Sequence, residues 1–155
     1  MKDILTGRYN GMISSFRVVD CRYPFEYDGG HIQGAVNLHT KDMILDFLKK
    51  EAPGRPEILI FHCEFSSERG PKLCRFLRNI DRQMNGERYP ALYFPEIYIL
   101  HGGYKDFYES CEELCYPRNY IPMLHKDYTV QVRHFRSKSK SWSAGDKRRS
   151  PQRLF

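Results

Sequence analysis

No unbroken apolar stretch in this chain runs beyond a few residues, and a membrane-spanning helix needs about 20, so no such span is expected. The opening MKDILTGRYN lacks the charged-then-apolar layout of a secretory signal, which points to an intracellular protein. Cysteine is too sparse and too uneven for a disulfide framework: there are five, at positions 21, 63, 74, 111 and 115. They also lack the matched pairs, or the accompanying histidines, that a zinc site requires. Reduced thiols and no metal are therefore expected, with Cys111 and Cys115 read as packing or idle thiols and one cysteine free to be catalytic. Tryptophan occurs once, as Trp142, and the aromatics are not interleaved with the basic residues near it, which argues against nucleic acid as a partner. No internal repeat is visible.

What remains is a chain of 155 residues with 41% hydrophobic and 14% aromatic content, enough for one domain with a sizeable core and a single active site. The net charge of +6 is unevenly placed. Residues 133 to 155 hold eight Lys or Arg and one Asp, whereas the remainder is nearly neutral. From Ser137 the composition turns polar, basic and rich in Ser, so residues 1–136 are read as the folded domain and 137–155 as a basic, mobile tail that steers association with an acidic partner.

Short apolar runs in FRVVDC, EILIFH and EIYILHG have the look of buried strands, each followed by loop chemistry. Between the first two, Met43, Ile44, Phe47 and Leu48 recur at helical spacing. After the second, Leu73, Phe76, Leu77, Ile80 and Met84 form the stripe of an amphipathic helix, and Gly102 and Gly103 open a further helical segment, YKDFYES. Strand alternating with helix predicts an α/β fold with a mainly parallel sheet, whose functional groups gather at the carboxyl ends of the strands.

One strand-to-helix junction, HCEFSSER, carries chemistry. A strand ending at Cys63, a turn through Glu64, Phe65, Ser66, Ser67 and Glu68, and a helix entered at Arg69 suit anion binding. Inward-turned backbone N–H groups and the positive end of the helix dipole would cradle a phosphate over Cys63. Such a field favours a thiolate, since cysteines at helix N-termini near cations ionise at about pH 3.5–7.5. Arg69, six residues on, offers a planar guanidinium for two phosphate oxygens and for the charge that spreads over them during transfer. The predicted reaction is in-line attack by Cys63, a phosphocysteine intermediate and its hydrolysis by water. Glu64, Glu68 or neither is the acid that protonates the leaving group.

Residues 18 to 37, VVDCRYPFEYDGGHIQGAVN, resemble the rhodanese-type signature in which an acidic residue ends a strand and a GHI-x-GA turn follows. With HCEFSSERGP and ILHGGYKDF, the chain resembles, over about residues 10 to 142, the catalytic domain of the M-phase inducer phosphatases, the cell-division-cycle twenty-five family. That resemblance implies a rhodanese-like fold, no cofactor, and dual-specificity removal of phosphate from phosphothreonine and phosphotyrosine of cyclin-dependent kinase–cyclin complexes. It further implies a monomer of the nucleus and cytoplasm without a membrane partner. Cys63 matches the family's nucleophile, and Arg69 its phosphate-binding arginine. Cys21 matches its second cysteine, which can pair with the oxidised nucleophile, while Arg78, Arg82 and Tyr89 match positions used to dock the kinase. The family's long regulatory N-terminal region is not in the sequence, so an excised catalytic domain is expected. A rhodanese-type sulfurtransferase and a non-catalytic kinase-docking module are the rival readings. Ser150 before Pro151 is a candidate site for a proline-directed kinase.

Overall fold

A computed structural model describes residues 1–50, 56 and 58–148, with no side chain described from residue 141 onward. Contacts divide the chain into two units, Met1–Pro122 and Met123–Phe155.

The first unit opens with a single helical turn, α1 (Lys2–Leu5), followed by strand β1 (Phe16–Asp20) and the short helix α2 (Pro24–Asp28). Next come two-residue strands β2 (His31–Ile32) and β3 (Val36–Asn37), helix α3 (Lys41–Lys50) and strand β4 (Ile58–His62). Helix α4 (Arg69–Met84), strand β5 (Glu96–Ile99), helix α5 (Gly103–Cys111) and strand β6 (Cys115–Tyr116) complete it. Strands β3, β1, β4 and β5 form, in that order, a parallel sheet, and β2 pairs antiparallel with β6 in a separate ribbon. The three strands and three helices expected from hydrophobic pattern are therefore present. The edge strand β3 and the ribbon are too short to leave a period of their own.

Side chains alternate across the sheet and so feed two cores. Val19, Leu59 and Phe61 face Ile44, Phe47 and Leu48 of α3 and Leu73 and Leu77 of α4. Val18, on the opposite face, packs with Ile32, Ala35 and with Tyr104 and Phe107 of α5. Helix α4 is turned relative to the stripe its sequence suggests. Leu73 and Leu77 are buried and Phe76 and Ile80 partly so, but Met84 is 51% exposed, and Cys74 and Asp81 are buried in its stead. The cause is polar: Asp81 accepts hydrogen bonds from the backbone N–H groups of Tyr93 (2.8 Å) and Phe94 (3.0 Å) and from Asn85 Nδ2 (2.8 Å), fixing the loop that leads into β5. A buried carboxylate with this many donors is satisfied.

The second unit contains helix α6 (Thr129–Arg148), entered from a 3₁₀ turn at Lys126–Tyr128. Thr129 Oγ1 donates to Lys126 O, and His125 Nδ1 accepts from the Asp127 N–H. The helix runs through Ser137, where the composition changes and a tail is expected to begin; its Lys, Arg, Gln and Ala are adequate helix formers. Ser150 and Pro151 lie outside the described residues.

Candidate active site

Register decides what meets at the carboxyl end of the sheet. Asp20, the last residue of β1, lies opposite His62, the last of β4, so Cys21 and Cys63 leave adjacent strands side by side, and the Cys21 N–H donates to His62 O (2.8 Å). Beneath them Arg22 binds Asp20 through Nε (3.0 Å) and Nη2 (2.7 Å), reaches Gly30 O (2.8 Å), and lies 3.8 Å above the Tyr104 ring. Burial alone would raise the Asp20 carboxyl, but the neighbouring His62 and the Arg22 guanidinium reverse this and hold it below the usual carboxylate range.

The loop from Cys63 to Glu68 is oriented from outside by α5. Tyr104 N–H donates to Cys63 O (2.9 Å) and Lys105 N–H to Glu64 O (3.1 Å). In a trans peptide the carbonyl and the following N–H point in opposite directions, so the amides of Glu64 and Phe65 are aimed away from α5. This close approach demands glycine at 103. Its φ is +69°, and a Cβ there would stand 2.5 Å from Glu64 O and 2.7 Å from Cys63 O. Ser66 takes a left-handed φ of 55°, the alternation of backbone sign that forms an anion-binding nest, and its buried Oγ has no hydrogen-bond partner among the described residues. Gly70 lets the start of α4 pack onto the end of β4, where a Cβ would lie 3.1 Å from the His62 carbonyl carbon.

Cys63 sits at the base of this loop with 3% of its surface exposed. The remaining loop side chains divide. Phe65, Ser67 and Glu68 are exposed, with Glu68 at the N-cap of α4 making no side-chain capping bond. Glu64 turns inward instead: it is 4% exposed, and the Tyr120 hydroxyl donates to its Oε1 at 2.5 Å. The two candidate acids thus stand in opposite environments.

Arg69 is held by a residue that hydrophobic pattern does not mark. Glu26 of α2, wholly buried, takes both arms of the guanidinium, Nη1 to Oε2 at 2.5 Å and Nη2 to Oε1 at 2.9 Å. Glu64 Oε2 lies 3.8 Å from Nη2, and the Tyr23 ring stacks 4.9 Å from the guanidinium carbon. Burial raises the Glu26 carboxyl above its ordinary value, and the Arg69 bond and charge oppose the rise. Glu26 also accepts the Tyr23 N–H (2.9 Å), which caps the first turn of a helix that starts with Pro24. Neither Glu26, 43 residues from Arg69, nor Tyr120, 56 residues from Glu64, carries a signal for this role in the sequence.

Cys21 is 1% exposed, and burial, followed by the nearby charges of Asp20 and Cys63, pushes its thiol well above the ordinary range. All five cysteines are free. The three candidate docking residues also separate. Arg78 spends its guanidinium on Phe94 O (2.8 Å) and Pro95 O (3.0 Å), whereas Arg82 is exposed and Tyr89 is 79% exposed. Among the described residues no helix is long and apolar enough to cross a membrane.

A parallel sheet with a cysteine-headed loop running from β4 into α4 defines a rhodanese-like domain, and the chain belongs to that family, whose model matches residues 7–110. More particularly, it is 53% identical over 152 residues to the M-phase inducer phosphatase of Drosophila melanogaster, covering 90% of this chain and 32% of that protein. To M-phase inducer phosphatase 1 of Mus musculus it is 49% identical over 151 residues, covering 95% and 29%. The chain therefore spans about a third of the curated relatives it matches. Among solved structures, a yeast protein tyrosine phosphatase of the rhodanese family superposes with a TM-score of 0.58 at 23% identity, over 79% of this chain and 92% of that one, a likeness of fold.

Proposed function

We propose that this chain is the catalytic domain of a cysteine-dependent, dual-specificity protein phosphatase. It removes phosphate from phosphothreonine and phosphotyrosine of a cyclin-dependent kinase–cyclin complex, activating the kinase and promoting cell-cycle progression in the nucleus and cytoplasm. The observation that carries the reading is the loop itself, in which Cys63 and Arg69 bracket five residues and the carbonyls of Cys63 and Glu64 are drawn onto α5, so that the amides that follow them are aimed away from that helix. The names of its relatives, M-phase inducer phosphatases, support the choice of substrate class.

In this reading the Cys63 thiolate attacks phosphorus in line, an S–P bond forms, and the P–O bond to the protein substrate breaks, its oxygen taking a proton from Glu64, from Glu68 or from the substrate phosphate itself. Water then attacks phosphorus, the S–P bond breaks, and inorganic phosphate leaves. Arg69 shares its fork between Glu26 and the phosphate, and the Glu26 bonds keep it aimed before substrate arrives. The domain acts as a monomer without cofactor. Should an oxidant such as hydrogen peroxide convert Cys63 to its sulfenic acid, attack by the Cys21 sulfur would give a disulfide and water, sparing the nucleophile further oxidation.

The test is to quench turnover of a phosphothreonine peptide in acid and map the adduct by mass spectrometry. Phosphate on the Cys63 peptide, absent from Cys63→Ser, is expected. A label elsewhere, or thiosulfate turnover with none of an aryl phosphate, would replace the proposal by another nucleophile or by sulfurtransfer.

A further inference from the structure

Glu64 is gripped twice from outside its loop. Its backbone carbonyl is bound by Lys105 N–H of α5, and its carboxyl by a phenol that arrives from the segment after β6. That segment is firmly placed: β6 pairs with β2, Gln33 N–H donates to Leu114 O (2.9 Å), and the Tyr104 hydroxyl donates to Asn119 O (2.8 Å). The Tyr120 ring then packs between two rings of α5, 6.0 Å from Tyr104 and 6.3 Å from Tyr108. The same helix that sets the loop's main chain therefore also sets the phenol that holds the loop's inward carboxylate. A free glutamate side chain has three rotatable bonds and would spend little time in one orientation beside Arg69, where Oε2 now lies 3.8 Å from Nη2.

We infer that Tyr120 is a positioning residue of the proposed phosphatase reaction, its hydroxyl clamping the Glu64 carboxyl to the inner side of the loop so that this carboxyl, rather than exposed Glu68, stands over the leaving oxygen. The inference rests on the phosphatase reading and adds a residue that acts through Glu64. Burial and the Glu64 bond push the Tyr120 phenol above its ordinary value, so it stays a donor throughout the neutral range.

Tyr120→Phe keeps the ring stack and removes only the hydroxyl. On a phosphothreonine peptide, whose alkoxide leaving group needs a proton most, kcat should fall about tenfold, the upper end for one hydrogen bond, while KM changes by less than about twofold. The same substitution in a Glu64→Gln background should have almost no further effect, because residues acting through one group are not additive. A full tenfold loss in that background would overturn the inference, as would a kcat unchanged by Tyr120→Phe alone. A crystal structure of Tyr120→Phe tests the clamp independently of turnover. The carboxyl of Glu64 released from Arg69 and turned outward is expected, and a carboxyl still in place overturns the clamp. If the wild-type domain hydrolyses no phosphate ester, the functional proposal falls, and the position of Glu64 in that crystal structure still decides whether Tyr120 holds it.

Discussion

Replacing Arg69 by methionine should cost this domain stability as well as activity, which is not what removing a cation from an anion-binding loop ordinarily does. A phosphate-binding arginine with no internal partner strains the apo protein, and its loss relieves like-charge crowding. Here Arg69 neutralises Glu26, which has no solvent exposure, through two bonds of 2.5 and 2.9 Å. Removing one partner of a buried pair costs about 3–5 kcal/mol, and since 20% of the Arg69 side chain reaches solvent, the lower end, about 3 kcal/mol, applies. With a urea m-value of about 2 kcal/mol/M, the midpoint should drop by about 1.5 M at unchanged m. Acid should shrink the deficit. Burial raises the folded Glu26 value above that of the unfolded chain, and without Arg69 nothing as strong opposes it. The protonated form is the one the site accepts, so its contribution to stability is fully present below the ordinary glutamate range and is lost as pH rises through the folded value. The variant should therefore lie closer to wild type at pH 5 than at pH 7, and adding Glu26→Gln should restore most of the midpoint and none of the hydrolysis. A midpoint that stays level or rises in Arg69→Met, or a deficit indifferent to pH, would refute this account of the pair.

Arg82→Ala is the cleaner probe of kinase docking, because Arg78 already serves the carbonyls of Phe94 and Pro95 and its loss would disturb the approach to β5. Activity on a folded phosphorylated kinase should fall about fivefold for Arg82→Ala and that on a small aryl phosphate should not change; equal losses on both would place the damage in the pocket instead. Cys21→Ser should leave turnover near wild type but make peroxide inactivation irreversible, so that thiol reductant recovers the wild type and not the variant; equal recovery of both would remove Cys21 from the redox scheme.

Much of the site can be read from the chain because it is local. Cys63, the five residues after it and Arg69 are contiguous, so the strand before them and the helix after them suffice to locate an anion-binding loop. The orientation of α4 is hidden for the opposite reason. A count of apolar residues places Met84 inside and Asp81 outside, whereas the buried Asp81 is defined by the N–H groups of Tyr93 and Phe94, donors that periodicity does not register. The inward turn of Glu64 and outward turn of Glu68 are hidden likewise, since both residues have the same chemistry and the same loop and differ only in what folds against them.

The linear sequence by itself indicates the three main strands, the three helices that follow them and the chemical identity of the loop, since short-range pattern controls each. Tertiary structure alone decides which carboxylate holds Arg69 and which phenol holds Glu64. Glu26 and Tyr120 come from segments 43 and 56 residues away along the chain, and only the register of β1 with β4 and the pairing of β2 with β6 bring them in. Buried charges bind whatever complementary group the fold delivers, and that delivery is a property of packing, with no trace in the neighbouring residues.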